Sequence, residues 1–139
     1  MTELVWVSDW QIQCCGEEFA VGDEVAWPLL PVNRANTYFE PLLGGELAAG
    51  LTHSYAGHEE PEVPHVSARV RGIRTVSCRY APLPPPADQR ELHVVPGTAV
   101  IEPVQGIDKW YGTDVDPDGP RFCGWLVDLD LDLSLSDGE

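Results

Sequence analysis

A chain of 139 residues with 43% apolar side chains, five Trp, four Tyr and three Phe has the apolar mass for one folded core and is not a disordered polypeptide. Its formal charge of −15, from 23 Asp and Glu against 8 Lys and Arg, repels phosphate backbones and anionic lipid, so neither nucleic acid nor a membrane surface is an expected partner. Thirteen Gly and thirteen Pro favour many short elements joined by turns over long helices.

Residues 4–15, LVWV and then WQIQCC, read as one or two short strands, and VGD at 21–23 reads as a turn. Residues 24–30 (EVAWPLL) resume extended structure until Pro28 and Pro31 end it. From 33 to 64 the pattern is loose and reads as a loop-rich insertion, with one short helix at 46–51 (ELAAGL) behind Gly44 and Gly45. Residues 65–80 form the clearest strand: Val66, Ala68 and Val70 alternate with Ser67, Arg69 and Arg71, and the alternation slips at Gly72 as a bulge makes it slip. PLPPP at 82–86 is a Pro-rich connector, and 92–104 is a further strand broken by Pro96-Gly97. In 121–135, Trp125, Val127, Leu129, Leu131 and Leu133 share one face while Asp128, Asp130 and Asp132 share the other. Its first half is apolar on both faces, which predicts a central strand that emerges into solvent. The expected fold is one mainly β domain over 1–139, a small SH3-like or OB-like barrel or a sandwich, with at most one short helix.

No Lys or Arg precedes Arg34, and the first apolar run, residues 4–7, is too short to span a bilayer. A cytoplasmic setting with reduced thiols is the expectation. Cys14 and Cys15, read as neighbours in a strand, point to opposite faces, so at most one of them does chemistry. The other packs near the turn at Gly16. His53, His58 and His65 fall within thirteen residues, in a stretch that also carries Glu59, Glu60 and Glu62. Imidazoles with a thiolate from a neighbouring strand are zinc ligands, so a site of His53, His58 and His65 with Cys14 or Cys15 is the alternative to a protein without cofactor. The opposing reading is a solvated acidic loop whose histidines are incidental.

Asp114-Val-Asp-Pro-Asp-Gly119 starts like a calcium loop but puts Trp125 where the bidentate Glu belongs, and it reads as a turn. A Cys–His hydrolase lacks a nucleophile elbow, and acidic surroundings work against a thiolate. Arg69, Arg71, Arg74 and Arg79 hold half of the basic residues; they either form a patch for an acidic ligand or pair with nearby carboxylates. These features favour a non-enzymatic binding or interaction module over an enzyme. Its ligand, a protein or a small molecule, would meet a concave face carrying Trp10 or Trp27 beside Arg69 and Arg71. The regular LDLDLDLSL after Val127 is a surface on which a homodimer could form.

The segments VWVSDWQIQCCGEEFAVGDEVAW, RVRGIRTVSCRYAP and FCGWLVDLDL resemble a family of short actinobacterial proteins known only as a domain of unknown function, with WQxQCCGxxF the most specific part. The resemblance implies no activity, cofactor or catalytic residue. It fits the excess of Arg over Lys, seven to one, that a GC-rich genome produces.

Overall fold

The computed structural model describes residues 2–33, 38–56, 63–108 and 120–131, with the side chains of Cys14 and Cys15 outside that description. In chain order its elements are β1 (Thr2–Ser8), α1 (Asp9–Cys15), β2 (Glu24–Pro31), α2 (Phe39–Leu43), α3 (Gly45–Gly50), β3 (Leu51–Tyr55), β4 (His65–Cys78), β5 (Tyr80–Ala81), β6 (His93–Val94), β7 (Val100–Val104) and β8 (Arg121–Leu131). Five strands close into a barrel in the order β2-β3-β1-β8-β4, with β4 returning to β2. Every pairing around it is antiparallel except β1 with β3. The mainly β barrel expected from the sequence is therefore present.

Closure depends on β2 and β4, each of which divides its length between partners. Along β2, residues from Glu24 to Pro28 pair with β4, and those from Leu29 to Pro31 pair with β3. Pro28 sits at the change of partner, where its missing N–H costs no ladder bond and its carbonyl accepts Ala56 N–H at 2.8 Å. On β4, fourteen residues long, the first part pairs with β2 and the stretch from Ile73 to Ser77 with β7, while β8 runs along the other side.

Two bulges decide which side chains enter the barrel. One falls between Val70 and Gly72 of β4, where the broken alternation of the sequence predicts it. Before it Ala68 and Val70 face the barrel core, and after it Ile73 does, so the inward parity changes from even to odd. The other lies on β8: Val76 pairs with Gly124 and Ser77 with Phe122, which leaves Cys123 as the extra residue. Trp125, Val127, Leu129 and Phe122 belong to the barrel core, whereas Cys123 and Leu126 belong to a second core outside it. That outer core is roofed by Phe39, Leu42 and Leu43 of α2 and includes Trp6, Leu51, Val76 and Cys78.

Three short helices stand where at most one was expected. The first overturns the reading of WQIQCC as a strand. Asp9 occupies the first turn, where its carboxylate favours the positive helix end and accepts Trp10 N–H at 2.8 Å. Gly16 N–H closes the last turn onto the Ile12 carbonyl at 3.1 Å. A Cβ at Gly16 would stand 3.3 Å from the Tyr55 hydroxyl and 2.6 Å from Ile12 Cδ1, which fixes glycine at this stop. Cys14 and Cys15 thus follow one another on a helix, about 100° apart, and not on opposite faces of a strand. In the region expected as an insertion, α2, α3 and the barrel strand β3 account for residues 39–55. Among the described residues no helix is long and apolar enough to cross a membrane.

At Gly124 the strands β8 and β1 approach so closely that a Cβ would run into the Val7 carbonyl and the Trp6 ring. Gly124→Ala is expected to lower stability by about 1–3 kcal/mol in urea unfolding. Gly45→Ala, where a Cβ meets nothing within 4 Å and φ is not positive, is expected to be neutral or stabilising by about 0.5–1 kcal/mol.

Candidate functional site

Where β1 turns into α1, the end of the barrel wall, the start of α2 and the start of β8 enclose a cleft of about 620 Å³. Its aromatic lining is Trp6, Trp10, Tyr38, Phe39, Tyr80 and Phe122. That is six of the twelve Trp, Tyr and Phe residues in the chain, drawn from segments up to 116 residues apart. Trp6 is the floor, edge-on to Phe39 at 5.9 Å and Tyr38 at 6.4 Å between ring centroids. Its indole N–H donates to Ser8 Oγ at 3.0 Å, so this polar atom is satisfied within the wall. Trp10 is half exposed at 50%, which the turn of α1 explains: Gln11 and Ile12 beside it are buried and Trp10 is rotated out to the rim.

Among the described residues the cleft carries two charges of opposite sign, Asp9 and Arg121. Burial raises the Asp9 carboxyl above its ordinary range, partly offset by the Trp10 N–H it accepts. At one side, polar groups run inward in a row. The Tyr38 and Tyr80 hydroxyls lie 3.4 Å apart, Tyr80 Oη is 3.5 Å from Cys123 Sγ, and Cys123 Sγ is 3.4 Å from Cys78 Sγ. Cys123 faces the cleft and is 7% exposed; Cys78 is fully enclosed. Both are free thiols.

The two sulfurs are not equivalent. The hydrogen bond with Cys78 draws Cys123 down to about 7, with burial and Asp9 opposing and the Tyr80 hydroxyl assisting; in its protonated form Cys123 donates to the Arg121 carbonyl at 3.4 Å. The same hydrogen bond, with burial added, holds Cys78 well above the ordinary thiol range. Burial, then the Tyr38 hydroxyl, pushes Tyr80 up, and burial raises Tyr38. The arrangement is two sulfurs ordered in depth, of which the one facing the cleft has the lower proton affinity.

The residues anticipated from sequence are dispersed around this site. Trp10 lines it. Trp27 is 8% exposed in the barrel core, edge-on to Phe19 at 4.8 Å and Tyr55 at 5.2 Å. Arg69 meets Glu24 and Arg71 meets Asp130, each at 2.8 Å, and Arg74 lies 3.9 Å from Asp128, so the arginine row faces carboxylates of its strand neighbours. None of the three arginines is among the described residues that line the cleft. His53 of β3 is hydrogen-bonded to Thr52 Oγ1 at 2.9 Å, and His65 at the start of β4 to the Ala26 carbonyl at 3.3 Å. They pair with Pro31 and Pro28 of β2, three positions or about 10 Å apart along the strand, too far to share one ion by themselves. His58, and with it Glu59, Glu60 and Glu62, lies outside the described residues, as do the side chains of Cys14 and Cys15. Among the described residues no three His, Cys, Asp or Glu side chains are gathered to hold a metal ion.

Cys78, Cys123, Tyr38 and Tyr80 escaped sequence reasoning. The available signal was one cysteine in each of two strong strands, SCRY and RFCGW, but their adjacency requires the β4–β8 register and the bulge at Cys123.

The fold and the cleft define the class: a small closed β-barrel with a helical cover on one outer face and an aromatic pocket at the edge of that cover. Residues 1–131 match a family of unknown function, DUF6578, and the chain belongs to that family. No curated protein and no solved structure matches the chain.

The row of hydroxyl and thiol groups gives a pH signature. The rate of Cys123 alkylation by iodoacetamide, read on the tryptic peptide that begins at Phe122, is expected to rise with a midpoint near pH 7. An unperturbed cysteine has its midpoint near about pH 8.5. Tyr80→Phe removes one donor to the thiolate and is expected to move the midpoint upward.

Proposed function

We propose that the protein is a binding module that takes a small planar organic molecule with a cationic or hydrogen-bond-donating head into the aromatic cleft. The observation that carries this reading is the gathering of half of the chain's aromatic residues around one opening of about 620 Å³. Aromatic faces accept flat apolar bodies and cations alike, and Asp9 supplies the counter-charge at the mouth of α1. The net charge of −15 raises the local concentration of cations over that of anions. A volume of this size suits a small molecule and lies within the range of pockets that bury most of their ligand. Binding is preferred to turnover because, among the described residues, the cleft lining is dominated by aromatic side chains. A GC-rich actinobacterial origin is our reading of the resemblance noted above and of the excess of Arg over Lys, seven to one, and a cytoplasmic setting with reduced thiols goes with that reading.

The test is a thermal-shift and tryptophan-fluorescence series with planar aromatic fragments in cationic, neutral and anionic forms. Cationic members are expected to raise the melting temperature and change the emission. Asp9→Asn is expected to weaken them about tenfold, or about 1.4 kcal/mol, relative to neutral members. Trp10→Ala, at a half-exposed site that does not support the core, is expected to weaken all of them. Shifts that survive both substitutions, or an absence of shifts across the series, would overturn the reading.

A further inference from the structure

Cys78 and Cys123 sit on adjacent strands, 45 residues apart in sequence, with their sulfurs in contact at 3.4 Å. Strict alternation along β8 would have turned residue 123 into the barrel with Trp125. The bulge that leaves Cys123 unpaired puts it instead on the outer face, against Cys78 and at the wall of the cleft. The two thiols are therefore ordered in depth. Cys123 can be reached from the cleft, and Cys78 lies behind it, sealed by the outer core. Closing their separation to the roughly 2.05 Å of a disulfide bond requires movement of only about 1.4 Å between the sulfurs.

From this geometry we infer that Cys123 and Cys78 form a thiol–disulfide exchange site, with Cys123 as nucleophile, Cys78 as resolving thiol and a low-molecular-weight disulfide as oxidant. The inference goes beyond the binding proposed above and uses the cleft only as the route of access. In the first step the Cys123 sulfur attacks one sulfur of the disulfide RSSR. The S–S bond breaks, RS⁻ leaves into the cleft and takes up a proton from water, and a mixed disulfide remains on Cys123. In the second step Cys78 loses its proton and its sulfur attacks the Cys123 sulfur from the side away from the cleft. The mixed bond breaks and the second RS⁻ departs with that proton. Two protein thiols are oxidised to one disulfide, and one small disulfide is reduced to two thiols. The lowered proton affinity of Cys123 and the raised affinity of Cys78 fit this division of roles. The Tyr80 hydroxyl, 3.5 Å from Cys123 Sγ, supports the attacking thiolate.

The experiment uses reduced protein with oxidised glutathione as the probe, followed by blocking with N-ethylmaleimide and tryptic digestion. Cleavage after Arg74, Arg79 and Arg121 places Cys78 in the peptide TVSCR and Cys123 in the peptide that begins at Phe122, apart from Cys14 and Cys15 in the peptide ending at Arg34. The expected result is TVSCR joined by a disulfide to the Phe122 peptide, with two reduced glutathione molecules released per linked pair. Cys78→Ser, with Cys78→Ala as a second variant should the first not fold, is expected to stop at glutathione held on Cys123. Cys123→Ser is expected to form neither product.

Recovery of both peptides fully blocked by N-ethylmaleimide, with glutathione only on the peptide ending at Arg34, would overturn the inference. So would glutathione on TVSCR in the Cys123→Ser protein, because it would make Cys78 directly reachable. Dithiol oxidation and fragment binding are read separately. A linked peptide formed by a protein that binds no fragment supports the exchange site and counts only against the function proposed above.

Discussion

The ladder that β8 forms with β1 on one side and β4 on the other is the constraint on which the rest of the protein hangs. From Cys123 to Val127 both faces of β8 are buried, with Trp125 and Val127 in the barrel, where Leu129 follows them, and Leu126 and Cys123 in the outer core. A slip of one residue would exchange the two sets, and neither core could accept the other's side chains. Gly124 enforces the register from a second direction, since it alone lets the Val7 carbonyl and the Trp6 ring come as near as they do. Once β8 is fixed, β1 is fixed, and with it the point at which α1 begins and the cleft opens.

The outer core matters as much as the barrel for the site. The interior of the five-stranded barrel is occupied by a buried cluster that includes Trp27, Phe19, Tyr55 and Trp125. The cleft lies instead on the outer face, between the barrel wall and the cover made by α2 and its flanking residues. The bulge on β8 belongs to the same economy. It moves one small, polarisable side chain from the interior set to the exterior set, where it meets a second sulfur and a hydroxyl.

Much of the barrel is legible in the sequence because period-two patterning is a local property. The alternation of 65–70, its slip at Gly72, the break at Pro96-Gly97 and the two-faced apolar start of the last strand all correspond to observed features. The helix α1 is misread because Trp10 and Ile12 mimic alternation over a segment only seven residues long, too short for a 3.6-residue period to declare itself. Ser8 and Asp9 before it and Gly16 after it were the boundary signals. The site is less legible than the fold. In the sequence Trp10 and Trp27 are equal candidates for a concave face, yet Trp10 lines the cleft and Trp27 is core. The row from Tyr38 to Cys78 is assembled from three separate segments by register, and no spacing along the chain encodes it. The regular tail of the last strand beyond Leu131, like Trp110 and the Asp114 turn, lies outside the described residues.

The parallel union of β1 with β3 and its antiparallel union with β8 have a consequence for synthesis. β1 is completed by a strand more than a hundred residues further along the chain, so it cannot be closed on both sides until Arg121–Leu131 has left the ribosome. Until then the Val5 and Val7 face and the Trp6 face are both without their final cover, and the unpaired edge of β1 is open to other chains. Closure over so long a separation is slow relative to local structure. Closure of the barrel is thereby deferred until Arg121–Leu131 is available, and the excess of acidic side chains opposes association between chains during that interval.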